Sequence, residues 1–161
     1  MFQRDVWNDP IFQGMHIIPV LGQILALRPI NSEGTESTCK SLEAFRLAAI
    51  LYISALRARF GVDTTSWEFL YAGKLRDILS SEWSDQNTSS STIIWILALS
   101  YASQCKIEEK GFFWEALMGH TTTSNIVCYA DLENKLKTIV WDADLLVDQS
   151  RTLRALFDSG G

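Results

Sequence analysis

The sequence predicts an all-α fold, an irregular bundle of about six to seven helices around a buried central helix at about residues 92–104. Three observations carry this. Between Ile93 and Ala102 only Ser100 is not apolar, so a helix there has no wet face and belongs inside a core or a membrane. A membrane span needs about 18–20 consecutive apolar residues, and this run is far shorter, with Gln104 and Lys106 close behind. Ile, Trp and Tyr also suit strands, and period alone cannot separate the two states in a short apolar run. The helical patterning on both sides decides for helix. Upstream, Leu42, Phe45, Ala49, Tyr52, Leu56 and Phe60 recur at spacings of three and four, one apolar stripe along a helix. Residues suited to helix starts and stops bound most of the segments, and no stretch makes a convincing sheet.

Taken in order, residues 1–10 read as a loose arm ending in the turn signal Asn8-Asp9-Pro10. Pro19 is tolerated in a first turn, and Val20, Leu21, Ile24, Leu25 and Leu27 then make a short amphipathic helix stopped by Arg28-Pro29. Residues 30–38 form a polar linker around Gly34. Thr38 or Ser41 caps the striped helix, Glu43 complements its first turn, and Gly61 ends it. Asp63, Thr64 or Thr65 opens the next helix, which runs through Trp67, Leu70, Tyr71, Leu75, Ile78 and Leu79 to about Glu82, with Gly73 allowing close packing. Residues 83–91 are a polar loop whose serines cap the central helix. Shorter helices follow at about 107–118, 131–140 and 144–157, with Asp131 capping the second and Asp142 or Asp144 the third. Residues 119–125 form the loop between the first two.

A chain of 161 residues reads as one folded unit, an N-terminal arm over 1–37 and a helical domain over 38–158. At 47% hydrophobic residues, with six Trp and eight Phe, it is slightly greasier than a typical free-standing globule, which suggests a large core or a face meant for another domain. The net charge of −5 argues against an electrostatic grip on nucleic acid, which needs clustered Lys and Arg. The densest basic group, Arg46, Arg57 and Arg59 on one helix, is thin. Cys39, Cys105 and Cys128 are far apart and odd in number, so neither a zinc site nor a disulfide framework is expected. Charged residues precede any apolar run at the start, which predicts no signal peptide and an intracellular protein.

Little in the chain points to catalysis. His120 beside Gly119 suits a helix C-terminus, where the dipole favours a basic group, and His16 lies in an apolar stretch. No phosphate loop, dinucleotide fingerprint, nucleophile elbow or zinc-protease motif occurs. Glu108-Glu109-Lys110 and the group Asp142, Asp144, Asp148 read as solvated faces and caps, because di-metal bundles need Glu-x-x-His pairs and neither histidine has one. No catalytic residue, metal or cofactor is therefore expected. Trp67, Trp83, Trp95, Trp114 and Trp141 fall one to a segment, as core fillers do; Trp95, Trp114 and Trp141 are taken as the core aromatics, and a small-molecule cavity among the tryptophans is the competing reading.

The stretch Glu43-Ala44-Phe45-Arg46-Leu47-Ala48-Ala49-Ile50-Leu51-Tyr52 resembles a family hallmark, a helix reading roughly E-A-x-R-L-A-x-L-L-Y. The family is the fungal-specific transcription factor domain, the middle homology region that follows a zinc binuclear cluster. The matches are Glu43, Ala44, Arg46, Leu47, Ala48, Leu51 and Tyr52. Residues 94–99 around Trp95, then Phe112-Phe113-Trp114, then residues 136–141 ending in Trp141, are similar to its later segments in order and spacing. The resemblance covers about residues 40–158. It implies an all-α, non-catalytic regulatory module in the nucleus, receiving regulatory or metabolite signals and contacting protein partners or a covalently linked zinc-cluster DNA-binding domain. The family's six-cysteine cluster is missing from this sequence, so DNA recognition transfers to no residue here. Glu43 and Arg46, at i and i+3, read as a scaffolding pair. The alternative is a small all-α enzyme or ligand carrier of a fungal biosynthetic pathway, cytoplasmic, using His16 or Cys105 as its reactive group.

Overall fold

A computed structural model describes residues 18–26, 36–59, 61–80 and 88–158. Among them are seven helices and no strand: α1 (Ile18–Ala26), α2 (Glu36–Arg59), α3 (Thr65–Ser80), α4 (Ser90–Ala102), α5 (Ile107–Thr123), α6 (Tyr129–Lys137) and α7 (Val147–Asp158). The all-α expectation holds. No helix among the described residues is long and apolar enough to cross a membrane. The expected arm at 1–10, most of the linker at 30–38, and Leu27, Arg28, Pro29, Phe60, Glu82 and Trp83 lie outside the described residues.

Helix α4 is the centre, as its composition requires. Every residue from Ile94 to Ser100 is buried, and the helix touches α2, α5, α6 and α7. The one polar residue of that buried run is neutralised within the helix: Ser100 Oγ donates to Ile96 O at 2.7 Å. Ser89 caps the start, its hydroxyl accepting from Thr92 N–H at 3.2 Å. Trp95, 1% exposed, donates its indole N–H to Val140 O at 2.7 Å and so pins α4 to the segment leading out of α6.

Helix α2 is longer than expected. It begins at Glu36, inside the anticipated linker, so Thr38 and Ser41 are interior residues and not caps. Gly61 does end it. At φ 79° it takes the left-handed conformation; its N–H meets Ala58 O at 3.0 Å and Val62 N–H meets Arg57 O at 3.2 Å, the paired bonds of a Schellman motif. The buried face is not the predicted stripe. Ala44, Leu47, Ala48, Ile50, Leu51, Ile53, Ser54 and Ala55 are buried, whereas Leu42 and Phe45 are 47% and 39% exposed and Ala49, Tyr52 and Leu56 half-buried. Apolar residues surround this helix, so period selects no face. Contacts with α1, α3 and α4 decide instead.

Helix α3 opens where expected. Thr64 O accepts from Trp67 and Glu68 N–H, each at 3.0 Å, and Asp63 Oδ1 accepts from Thr65 N–H at 3.0 Å. Its buried residues are Glu68, Ala72 and Leu75. Trp67 and Leu70, expected inside, are 40% and 53% exposed. Helix α5 absorbs much of the loop expected at 119–125: the hydroxyls of Thr121 and Thr122 donate to Met118 O and that of Thr123 to Gly119 O, so three threonines return their polarity to the helix that precedes them. Helix α6 starts before Asp131, whose carboxylate reaches back to Val127 N–H at 3.3 Å from within the first turn, and stops at Lys137, short of 140. Of the two candidates before α7, Asp142 is the one that works: its Oδ1 accepts from Asp144 and Leu145 N–H at 2.9 and 3.2 Å, and the helix begins after that turn. Helix α1 packs on α2, with Ile24 against the core.

Candidate interaction surface

The signature residues of α2 serve packing. Ala44, Leu47, Ala48 and Leu51 are at most 1% exposed. Arg46 grips Glu43 with both arms of its fork, Nε to Oε2 at 2.6 Å and Nη2 to Oε1 at 2.5 Å, with the two side chains 17% and 26% exposed. That hydrogen bond, against the cost of burial, raises the guanidinium above its ordinary pKa. Tyr52 is half-buried against Trp95, ring centroids 6.2 Å apart, and burial, then Asp142, pushes its hydroxyl pKa up. Of the three core aromatics, Trp95 and Trp141 are buried. Trp114 is only half-buried and lines an open groove with Tyr101, Arg151, Thr152, Ala155 and Leu156, between α4, α5 and α7. Tyr101 and Trp114 lie 6.1 Å apart, and Lys110 sits 5.3 Å over the Tyr101 ring.

Two buried carboxylates were not legible as such. Glu68 and Glu109, 4% and 5% exposed, both serve the four-residue corner between α4 and α5. Glu68, from α3, accepts from Thr64 Oγ1 at 2.7 Å and from Gln104 N–H at 2.8 Å. Glu109 Oε2 accepts from Lys106 N–H at 3.0 Å, and its other oxygen would lie 3.2 Å from a Cβ added at Gly73, so glycine there lets α3 pass close to α5. The corner is thus tied to α3 from one side and to α5 from the other. Glu109 is no solvated charge, in contrast to the exposed Glu108. The spacing Lys106-x-x-Glu109, an N-cap followed by a glutamate at the third position, is the signal that could have shown it. Cys105 lies at the same corner. Burial pushes its thiol up to about 11, with Lys110 opposing and Glu109 and Glu68 adding, so it is a protonated thiol and not an activated nucleophile. All three cysteines are free. His120 stands in the last turn of α5, where a basic residue suits the dipole, and His16 lies outside the described residues. Among the described residues no group of three His, Cys, Asp or Glu is placed to hold a metal.

Of the large apolar residues exposed among the described ones, five gather in two groups, while Val20, Phe69, Ile107 and Val127 are exposed as well. Phe45 stacks 5.5 Å from Trp95, and Val140, 44% exposed, takes the Trp95 indole bond through its carbonyl, so both border one tryptophan, with Leu42 a turn away from Phe45 on α2. On α3, Trp67 and Leu70 stand exposed beside a chain of ring contacts. The Arg57 guanidinium lies 5.7 Å over Trp67, Trp67 meets Tyr71 edge-on at 6.2 Å, and the Lys74 ammonium lies 5.7 Å over Tyr71. The expected basic group is thereby dispersed: Arg46 is bound to Glu43, Arg57 lies on Trp67, and Arg59 is exposed. No family model, no curated protein and no solved structure matches this chain.

Proposed function

We propose that this chain is a non-catalytic helical regulatory and protein-interaction domain of the kind found in fungal transcription factors, acting in the nucleus when joined to, or recruited by, a zinc-cluster DNA-binding unit. The observation that carries the reading is the exposure of Leu42, Phe45, Trp67, Leu70 and Val140 beside an interior already filled by Trp95, Phe113 and the aliphatic residues of α2 and α4. Large apolar side chains left at a surface in this number are the material of a protein contact. The motif of α2 supplies the family, and the net charge of −5, with Arg46 bound to Glu43, supports partner binding over direct contact with nucleic acid.

The test is a fusion of the full chain to a heterologous DNA-binding unit driving a reporter. The fusion should raise or lower transcription, and Leu42→Glu with Phe45→Glu should abolish the effect while the fold persists by circular dichroism. A fusion with no effect on the reporter would refute the reading. Reading the coding frame upstream of Met1 for a six-cysteine cluster and a basic linker separates a linked DNA-binding unit from a recruited one.

The groove of Tyr101 and Trp114 favours a second reading, a ligand-binding protein or small enzyme of a fungal biosynthetic pathway, or a small-molecule effector site on the regulatory domain itself. The raised pKa of Cys105 works against the enzyme form of that reading.

A further inference from the structure

We infer that the ridge formed by Arg57, Trp67, Tyr71 and Lys74, with Leu70 beside it, is a docking site for an acidic amphipathic segment of a protein partner. The inference rests on the interaction-domain reading and names the chemistry of the partner.

The four side chains are contiguous, cation to ring, ring to ring, ring to cation. On α3 the positions 67, 70, 71 and 74 follow i, i+3, i+4 and i+7 and share one face. Trp67 and Leu70 are 40% and 53% exposed, large apolar surfaces that a partner's aliphatic or aromatic residues would cover. The cations flank that surface. A guanidinium held over an indole has N–H donors left for an acceptor, and the ring contact removes some of the freedom it would lose on binding. Neither Arg57 nor Lys74 has a carboxylate within ion-pair distance among the described residues. Three acids of this part of the chain are engaged elsewhere, Glu43 by Arg46, Asp63 by Thr65 N–H, and Glu68 by Thr64 and Gln104, while the exposed Asp77, one turn from Lys74 on α3, makes no ion pair with it. In a chain with 19 acidic and 14 basic residues, an apolar ridge flanked by two cations with no ion pair among the described residues selects for negative charge from outside. A phosphate backbone or an anionic bilayer needs a longer row of cations than two, and the net charge of −5 opposes both. A short peptide carrying Asp and Glu among Leu and Phe matches both features of the ridge.

The experiment titrates the full chain into a fluorescein-labelled peptide of Glu, Asp, Leu and Phe patterned at helical spacing, read by polarisation. The expected result is saturable binding that weakens with salt, fails for the peptide with Gln and Asn in place of its acids, and falls about tenfold for Arg57→Glu and again for Lys74→Glu. The Trp67 indole resonance should shift on binding. Arg57→Gln and Lys74→Gln, milder changes, should weaken binding in the same order and guard against a folding defect. The proposal is overturned by absence of binding, by equal binding of the neutral peptide, by charge reversals that change affinity less than about twofold, or by tighter binding of a single-stranded oligonucleotide, an anionic vesicle or a second copy of the chain. A responsive reporter fusion with no peptide binding would remove the partner class and leave the interaction-domain reading standing; failure of both would remove both.

Discussion

Replacing Glu68 by Ala should destabilise the chain by about 2–3 kcal/mol. The carboxylate is 4% exposed and holds two bonds, from the Thr64 hydroxyl at 2.7 Å and from Gln104 N–H at 2.8 Å. A hydrogen bond to a charged group contributes about 1.5–3 kcal/mol, and a buried polar group left without a partner costs about 1–3 kcal/mol. Thr64, itself 4% exposed, would lose its acceptor inside the protein, whereas Gln104 belongs to an exposed residue and can turn its N–H to water. The loss is therefore the Thr64 bond in full and the Gln104 bond in part. Relief of carboxylate desolvation and the better helix propensity of alanine offset a fraction of it. For a chain of this size the melting midpoint should fall by roughly 4–12 °C. Glu68→Gln keeps an oxygen for Gln104 N–H and should lose less than half as much. Thermal and urea unfolding at neutral pH, followed by circular dichroism, measures both. An alanine variant within about 0.5 kcal/mol of the parent, or a Glu68→Leu variant more stable than the parent, would refute the reasoning, since the carboxylate would then be a burden on the corner and not its tie.

Three further outcomes follow from the same structure. With its thiol pushed up to about 11, Cys105 should react with iodoacetamide at about pH 8.5 roughly two orders of magnitude more slowly than a thiol of ordinary pKa. Because the folded chain keeps that proton after the unfolded chain has lost it, stability should fall as pH climbs from about 9 to about 11, and Cys105→Ala should flatten that limb; equal alkylation in native and denatured protein would contradict the burial. Gly61→Ala meets no atom within 4 Å but forces a side chain to φ 79°, so chemical unfolding should show a loss of about 1 kcal/mol, and a neutral result would count against the left-handed cap. A double-mutant cycle on Glu43→Ala and Arg46→Ala should give a coupling of about 1 kcal/mol, above the few tenths of an exposed helical pair, because the bidentate pair is mostly shielded from water; a coupling near zero would return it to the class of solvated surface pairs.

What the sequence could show depended on whether one physical signal dominated. Helix α4 was legible because seven consecutive buried residues, Ile94 to Ser100, leave no alternative to a central position. The end of α2 was legible because only glycine takes φ 79° cheaply. The face of α2 was not, since Leu42 and Phe45 are as apolar as Leu47 and Leu51 and only contacts with other helices distinguish them. The same ambiguity misplaced Trp67 and Leu70. On α3 the core position went to Glu68, whose polarity disqualified it until Thr64 and the Gln104 N–H were in place. Threonines 121–123 suggested a loop because their hydroxyls compete for the backbone; here they bond back to Met118 and Gly119 and extend the helix.

The α2 motif bears on function through what it leaves out. Its matched residues Ala44, Leu47, Ala48 and Leu51 are buried, and Glu43 and Arg46 satisfy each other, so a chain with this pattern is constrained in packing and not in what it binds. Ile50, where the pattern has Leu, is buried too, and an aliphatic exchange there keeps the same requirement. The two positions the pattern leaves open are Phe45 and Ala49. Phe45 is 39% exposed and Ala49 half-buried, so the open positions are less enclosed than the matched Ala44, Leu47, Ala48 and Leu51. A motif that fixes the inside of a helix and frees its outside lets one scaffold present different surfaces to different partners. On the interaction-domain reading proposed above, partner specificity would lie in residues no pattern names: Phe45 and Val140 beside Trp95, and Trp67 with Leu70 between Arg57 and Lys74. Substitutions confined to those residues should change partner choice while the melting midpoint stays put. Substitutions at Ala44 or Ala48, both fully buried, should lower the midpoint by overpacking the α2 contacts and change binding only through the loss of fold.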